Sequence, residues 1–382
     1  MAGQWGRRTA VVAGCLLVLA GCSRPAVVPT APPEDPELAS REPLPDWTPA
    51  QPSTFTLVAS GDVLIHPPLT EQAETDGKAA GGRDFRPMLA GVRDVVSAAD
   101  LAICHLKVPL GEAGDEFTGH PLFNAPPEVA AALADVGYDV CSTASNHTLD
   151  NGAAGVRSTL DALDAAGIRH TGAARTAGDA ATPTIVDLGG VRVAVVSYTF
   201  GLNAAATVPA GQPWLVNLLS VDAVLEGARA AKAAGADVVV ASLHWGEDRA
   251  SSPSGQQQPM ARQLLADPAV DLIIGHHPNV VQPFELIDGE WVAYGLGNHL
   301  ARHAEPLGTT EEGVIARFRF GKNKAGRWVV DRADYVPTVI DLGPPIRLRD
   351  ANSMPEGERR ETALRRIAEV VRSREAPLVS GR

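Results

Sequence analysis

The chain has 382 residues, 33 Lys and Arg against 45 Asp and Glu for a formal charge of −12, and 45% hydrophobic residues. This length suits one large α/β domain with appendages, or two domains, and the composition supports a buried core and excludes a wholly disordered chain. An acidic chain lacks the clustered Lys and Arg that would neutralise duplex phosphates, which argues against nucleic acid as the partner.

Residues Met1 to Gly21 carry Arg7 and Arg8 and then the apolar run Ala10 to Ala20, short for a membrane span but suited to a secretory signal. The run ends in Leu19-Ala20-Gly21-Cys22, which resembles a bacterial lipobox, with Cys22 as the lipidated residue. Residues 22–53 are then a linker: nine prolines fall between Ser23 and Ser53, with no apolar periodicity. Such a Pro-rich segment stays extended at about 3.1 Å per residue. The expectation is a body tethered by lipid to the cell membrane on its extracytoplasmic face. Two cysteines of that body, Cys104 and Cys141, end apolar runs; an oxidising compartment would let them pair, and two buried thiols fit equally well.

From Thr54 the pattern alternates. TFTLVAS (54–60) reads as a strand, RPMLAGVRDVVSAA as a helix, DLAIC (100–104) as a strand, and PPEVAAALADVG as a helix with Pro near its start and Gly137 at its end. YDVCSTAS (138–145) is the next strand, followed by the helix AGVRSTLDALDAAG, whose Val156, Leu160 and Leu163 share a stripe, and the strand VRVAVVSYTF. The helix VDAVLEGARAAKAAG, the strand DVVVASL, the helix MARQLLAD and the strand DLIIG continue the alternation, and VVQPFELI and WVAYGL flank Asp288-Gly289 as a hairpin. This order predicts an α/β domain over 54–345 with a mainly parallel sheet and added antiparallel strands, and a peripheral amphipathic helix within 346–382.

Polar residues stand immediately after the strands: Gly61-Asp62 and His66; His105-Leu106-Lys107; Asn146-His147 and Asp150; His244-Trp245-Gly246-Glu247; His276-His277; Gly297-Asn298-His299. Ligand sites in parallel α/β sheets lie at the carboxyl ends of strands, so these turns are expected to converge on one crevice. Imidazole, carboxylate and amide ligands together suit zinc, iron or manganese, one or two ions, rather than calcium. Scattered over distant segments, they point to a catalytic site and not to a local zinc clip. No serine-hydrolase elbow and no phosphate-binding Gly-rich loop is present.

The segments GDVLIH, HLKVPL, SNHTLD, SLHWGED, IIGHHPNVVQPFE and YGLGNHL make the stretch from about 55 to 300 resemble the CapA family of poly-γ-glutamate capsule synthesis proteins, a branch of the calcineurin-like metallophosphoesterase superfamily. The resemblance implies a four-layer α-β-β-α sandwich with two mixed sheets and a metal site at the sheet edge. Carried onto this chain, it implies Asp62 and His66 at one metal, and Asn146, His244 and one of His276 or His277 at a second. His147 would be the general acid or transition-state donor, with Asp150 either orienting its ring or capping the next helix. Trp245, Glu247, Lys107 and Asn298 would line the substrate site, Trp245 having core packing as its alternative. Two residues depart from the family pattern: Lys107 stands where a carboxylate is usual, and Asn279 where a further histidine is usual.

Two functions follow. One is a metal-dependent hydrolase or transferase acting on poly-γ-glutamate or another cell-envelope polymer; the other is a non-catalytic protein that keeps the crevice to bind the polymer or support its membrane synthase.

Overall fold

The computed structural model describes residues 52–203 and 206–379; the signal segment, Cys22 and nearly all of the linker lie outside the described residues. In chain order the strands are β1 (Thr54–Val63), β2 (Leu101–Leu106), β3 (Val140–Ser142), β4 (Arg169–Thr171), β5 (Thr184–Asp187), β6 (Arg192–Thr199) and β7 (Val238–His244). They continue as β8 (Leu272–His276), β9 (Phe284–Ile287), β10 (Glu290–Ala293), β11 (Asn298–Leu300), β12 (Glu312–Lys322), β13 (Trp328–Asp341) and β14 (Arg347–Asp350).

They build two mixed sheets. One runs β14-β13-β12-β1-β2-β3-β4, with β11 beside the end of β1; the other runs β5-β6-β7-β8-β10-β9. Side chains alternate across each strand, so Leu57 and Ala59 face the second sheet while Val58 faces helices. Leu57, Ile103, Val195, Val240, Ile274 and Phe318 belong to the core between the sheets. On the outer face of the first sheet, Val58, Cys104 and Leu106 meet Leu133 and Leu160 from the helices Glu128–Val136 and Gly152–Ala165. On the outer face of the second, Val239, Leu243 and Ile273 meet Val224 and Leu264 from Val221–Ala233 and Gln257–Leu265. The layering is helix, sheet, sheet, helix.

Local signals act where the residues predict. Gly137 ends its helix at φ 111°, which only glycine adopts cheaply, and Asp288 and Gly289, at φ 51° and 94°, turn the β9–β10 hairpin. The helix expected over RPMLAGVRDVVSAA is instead two short pieces, Arg86–Leu89 and Arg93–Ser97. Gly91 between them passes β14 so closely that a Cβ would lie 2.4 Å from Leu348 O. β14 itself lies past the expected domain boundary at 345, because it hydrogen-bonds to β13 through Thr338 to Asp341. The helix Glu358–Val371 likewise contributes Ala363, Ile367 and Val371 to the core between the sheets. Cys104 and Cys141, register partners on β2 and β3 with Cα atoms 4.5 Å apart, form a disulfide. It fastens the two strands immediately before His105 and Ser142.

Candidate metal centre and cleft

Strand register assembles the centre. Asp62 on β1 is opposite His105 on β2, and His105 is opposite Ser142 on β3; in the other sheet His244 on β7 is opposite His276 on β8. All five stand at carboxyl ends of parallel strands, where the two sheets meet. A break in the β1 register between Ala59 and Asp62 turns the Asp62 carboxylate inward. Gly61 permits it: a Cβ there would sit 2.1 Å from Gly297 O.

The ligand atoms of Asp62, His105 and His244 lie within 4.8 Å of one another, and all three residues are buried. His105 Nε2 is 2.9 Å from His244 Nδ1, and the His276 ring stacks on His105 with centroids 4.0 Å apart. His276 Nδ1 is 3.5 Å from Asp62 Oδ1, and neither His276 ring nitrogen has a hydrogen-bond partner among the described residues. Behind them, His105 Nδ1 meets Ser142 Oγ at 2.8 Å, and Ser142 Oγ accepts from Ser242 Oγ at 2.8 Å, which fixes the ring across the sheet seam.

Burial pushes the Asp62 carboxyl up, but Lys107 and the adjoining imidazoles outweigh it and hold the group well below the usual carboxylate range. Burial first, then the neighbouring imidazoles and Lys107, holds His105 and His244 far below the usual histidine value, and burial lowers His276 as well. His277 is lowered to about 4, again mainly by burial. One carboxylate and three neutral, buried imidazoles, one with both nitrogens unpartnered, fit a divalent ion of the zinc, iron or manganese kind.

A cleft of about 490 Å³ opens beside the centre, lined among others by His66, Phe123, Asn146, His147, Asn203 and His277. Asn146 Oδ1 is 2.8 Å from His244 Nε2, which ties the cleft to the metal side. His147 Nδ1 is 2.6 Å from Asp150 Oδ2, and the same carboxylate oxygen accepts from Phe123 N at 2.9 Å. Asp150 therefore orients the ring; the N-cap position of the helix that follows is Asn151, whose side chain makes no capping bond, and Asp150 does not serve that helix. Asn203 accepts from Asn146 Nδ2 at 2.7 Å and donates through Nδ2 to Asp150 Oδ1 at 3.1 Å, joining the two halves of the site.

Several expected site residues sit elsewhere. His66 lines the cleft, outside the Asp62, His105 and His244 group, with its ring 4.8 Å from that of His303. Trp245 is core: it is 2% exposed and donates to Tyr294 O at 2.9 Å. Glu247 is exposed, and its neighbours Asp248 and Arg249 line the cleft instead. Asn298 is fully buried and works from behind, donating to Asn279 O at 3.1 Å and Thr310 O at 2.9 Å. Lys107 does line the cleft as expected, but it is 2% exposed and turns its ammonium inward to Asp62 Oδ2 at 2.8 Å. Of the two adjacent histidines, His276 faces the centre, while His277 at φ 100° turns toward the cleft and the exposed ring of Phe200, 4.6 Å away. His105 and Asn203 were absent from the expected ligand and catalytic sets. His105 was visible as a post-strand histidine, whereas the stretch around Asn203 carries no periodicity.

His299 gives the fold a pH signature away from the centre. Buried with Nε2 2.8 Å from Tyr138 Oη, it has its pKa pulled by burial from 6.5 to about 3. Below the higher value the unfolded chain takes up a proton that the folded chain refuses, so this contribution is intact above pH 6.5 and erodes as pH falls, by about 1.4 kcal/mol per unit. His299→Gln removes the titration and keeps a polar neighbour for Tyr138. Its unfolding free energy is expected to depend on pH less steeply than wild type, by about one proton, over roughly pH 4.5 to 6.5. Equal slopes in the two proteins would contradict this.

A family model described as bacterial capsule synthesis protein PGA_cap matches residues 56–303. The chain is 33% identical over 225 residues to the capsule biosynthesis protein CapA of Bacillus anthracis, covering 58% of this chain and 53% of that protein. It is 28% identical over 216 residues to the PGA biosynthesis protein CapA of Bacillus subtilis, covering 54% and 53%. It thus spans about half the length of the relatives it matches. Among solved structures, the calcineurin-like phosphoesterase YfkN from Bacillus subtilis superposes with a TM-score of 0.44 at 14% identity, over 83% of this chain and 97% of that one.

Proposed function

This chain belongs to the bacterial capsule synthesis protein PGA_cap family, and from that premise we propose that it is lipid-anchored to the cell membrane on its extracytoplasmic face, and that its cleft performs metal-dependent hydrolysis or group transfer on poly-γ-glutamate or a similar envelope polymer. One observation carries the proposal: His147, held by Asp150, lines a cleft that opens beside the buried Asp62, His105 and His244 cluster, with Asn146 on His244 and Asn203 joining Asn146 to Asp150. The Cys104–Cys141 disulfide supports export, since such bonds persist in oxidising compartments.

A bound divalent ion supplies Lewis acidity and makes water a better nucleophile. His147, held at Nδ1 by Asp150, keeps Nε2 for proton transfer. Hydrolysis of an amide link puts the hydroxyl of water on the acyl carbon and a proton on the departing amine, and His147 supplies that proton. Phe123 N and Asn203 Nδ2 hold the Asp150 carboxylate from two sides, so the ring does not wander.

The full-length protein in detergent, given poly-γ-glutamate and Mn²⁺, is expected to shorten the polymer or join it to an added amine. Polymer bound but unaltered would favour the second reading, a non-catalytic partner of the polymer synthase, for which the buried Lys107–Asp62 pair speaks. Anchoring has its own test. Cys22→Ser is expected to leave the membrane pellet, and normal processing with retention in the membrane would refute the lipid anchor.

A further inference from the structure

The two oxygens of the Asp62 carboxylate share a long bond from His277 N, 3.4 Å to Oδ1 and 3.3 Å to Oδ2, and otherwise keep different company. Oδ1 lies on the side of His276, 3.5 Å from its Nδ1. Oδ2 accepts from Lys107 Nζ at 2.8 Å. The same ammonium donates to Asn279 Oδ1 at 2.8 Å and to the backbone oxygen of His277 at 3.2 Å. An ammonium has three protons, and three acceptors surround this one.

The acceptors are built for it. His277 and Asn279 have left-handed backbones, φ 100° and 61°, which aim the His277 carbonyl and the Asn279 side chain at one point. Asn279 Nδ2 donates to Asp248 Oδ1 at 2.7 Å, which fixes its amide with the oxygen toward Lys107. Asn298, fully buried, donates to Asn279 O at 3.1 Å and holds the loop from below. The pocket that results is a carboxylate oxygen, an amide oxygen and a carbonyl oxygen around one cation, the oxygen chemistry that a hard divalent ion also takes.

We propose that this pocket is a second cation position of the centre, permanently filled by the Lys107 ammonium, so that the protein holds one exchangeable metal ion, on the Asp62 Oδ1, His105, His244 and His276 side, and not two. Lys107 is a positioning residue: its fixed charge pins Oδ2 and leaves the other oxygen of Asp62 to the metal. A second divalent ion at Oδ2 would stand within about 4 Å of a buried ammonium, a repulsion of several kcal/mol even at an effective dielectric of about 20. The inference rests on the metal reading of the site and is independent of whether the polymer is cut.

The test counts metal. Full-length protein in detergent is loaded with Mn²⁺, freed of excess by dialysis and analysed for manganese per chain. Wild type is expected to hold one ion; Lys107→Glu with Asn279→His, which replaces the ammonium and its amide partner with two metal-binding side chains, is expected to hold two. If that pair does not fold, Lys107→Gln, which frees Oδ2 with little change in size, is counted in its place and is also expected to gain an ion. Two ions in wild type, no ion in wild type, or a folded variant that stays at one each overturns the proposal. One ion in wild type and two in the variant, with poly-γ-glutamate left intact, would keep it while removing the catalytic function.

Discussion

Replacing His147 with alanine is expected to lower the turnover of the polymer reaction by about 10²- to 10⁴-fold, the range seen when a positioned proton donor is lost. The imidazole lines the cleft, and its Nδ1 is committed to Asp150 at 2.6 Å. Truncation also removes the edge contact with Phe123 and the 2.7 Å approach of Asn203 Nδ2 to Nδ1, but the ring is at the wall of the cleft and Asp150 keeps its bonds from Phe123 N and Asn203 Nδ2. Metal content and unfolding midpoint are therefore expected to match wild type, while kcat falls with KM nearly unchanged. Asp150→Asn should fall between the two proteins, since an amide can still place the ring but stabilises its cationic form poorly. Wild-type kcat in His147→Ala would assign the proton transfer elsewhere and leave His147 as part of the wall.

Asp62→Asn is expected to be the most destabilising single change in the centre. Lys107 is 2% exposed and its only carboxylate partner among the described residues is Asp62, so the variant buries an ammonium with amide and carbonyl oxygens alone. Breaking one side of a buried ion pair costs about 3–5 kcal/mol. Denaturant unfolding in the presence of a chelator measures this without the metal's contribution. The double variant Asp62→Asn with Lys107→Met, which removes both charges, is expected to recover most of the loss, because the cost lies in the orphaned charge more than in the missing bond. A double variant no more stable than Asp62→Asn would show that the pair is not the source.

Much of the site was legible because period and register do the placing. Strand ends carry His, Asp and Asn in turn after turn, and parallel sheets bring such ends to one edge, so Asp62, His105, His244 and His276 come together as the alternation implies. The same two-residue period decides between the two readings of Trp245. His244 ends β7 facing the other sheet, so Trp245, the next residue, faces the opposite way, into the core with Tyr294, and cannot line the mouth. It separates His276, the last residue of β8, from His277 as well. Asn203 was illegible for a different reason: it comes from an irregular segment after β6, and only the folded chain brings it to Asp150, 53 positions away. The inward turn of Lys107 was legible in outline from the unusual residue type; its bond to Asn279, 172 positions along the chain, required the backbone of the His277–Asn279 loop.

The most direct view of the centre is anomalous diffraction, collected at the manganese edge, from crystals of the protein grown with Mn²⁺. One strong peak is expected, within coordination distance of Asp62, His105 and His244, with Lys107 Nζ still on Asp62 Oδ2. No peak among these residues, or a second peak in the place of the Lys107 ammonium with that side chain swung into the cleft, would contradict the account.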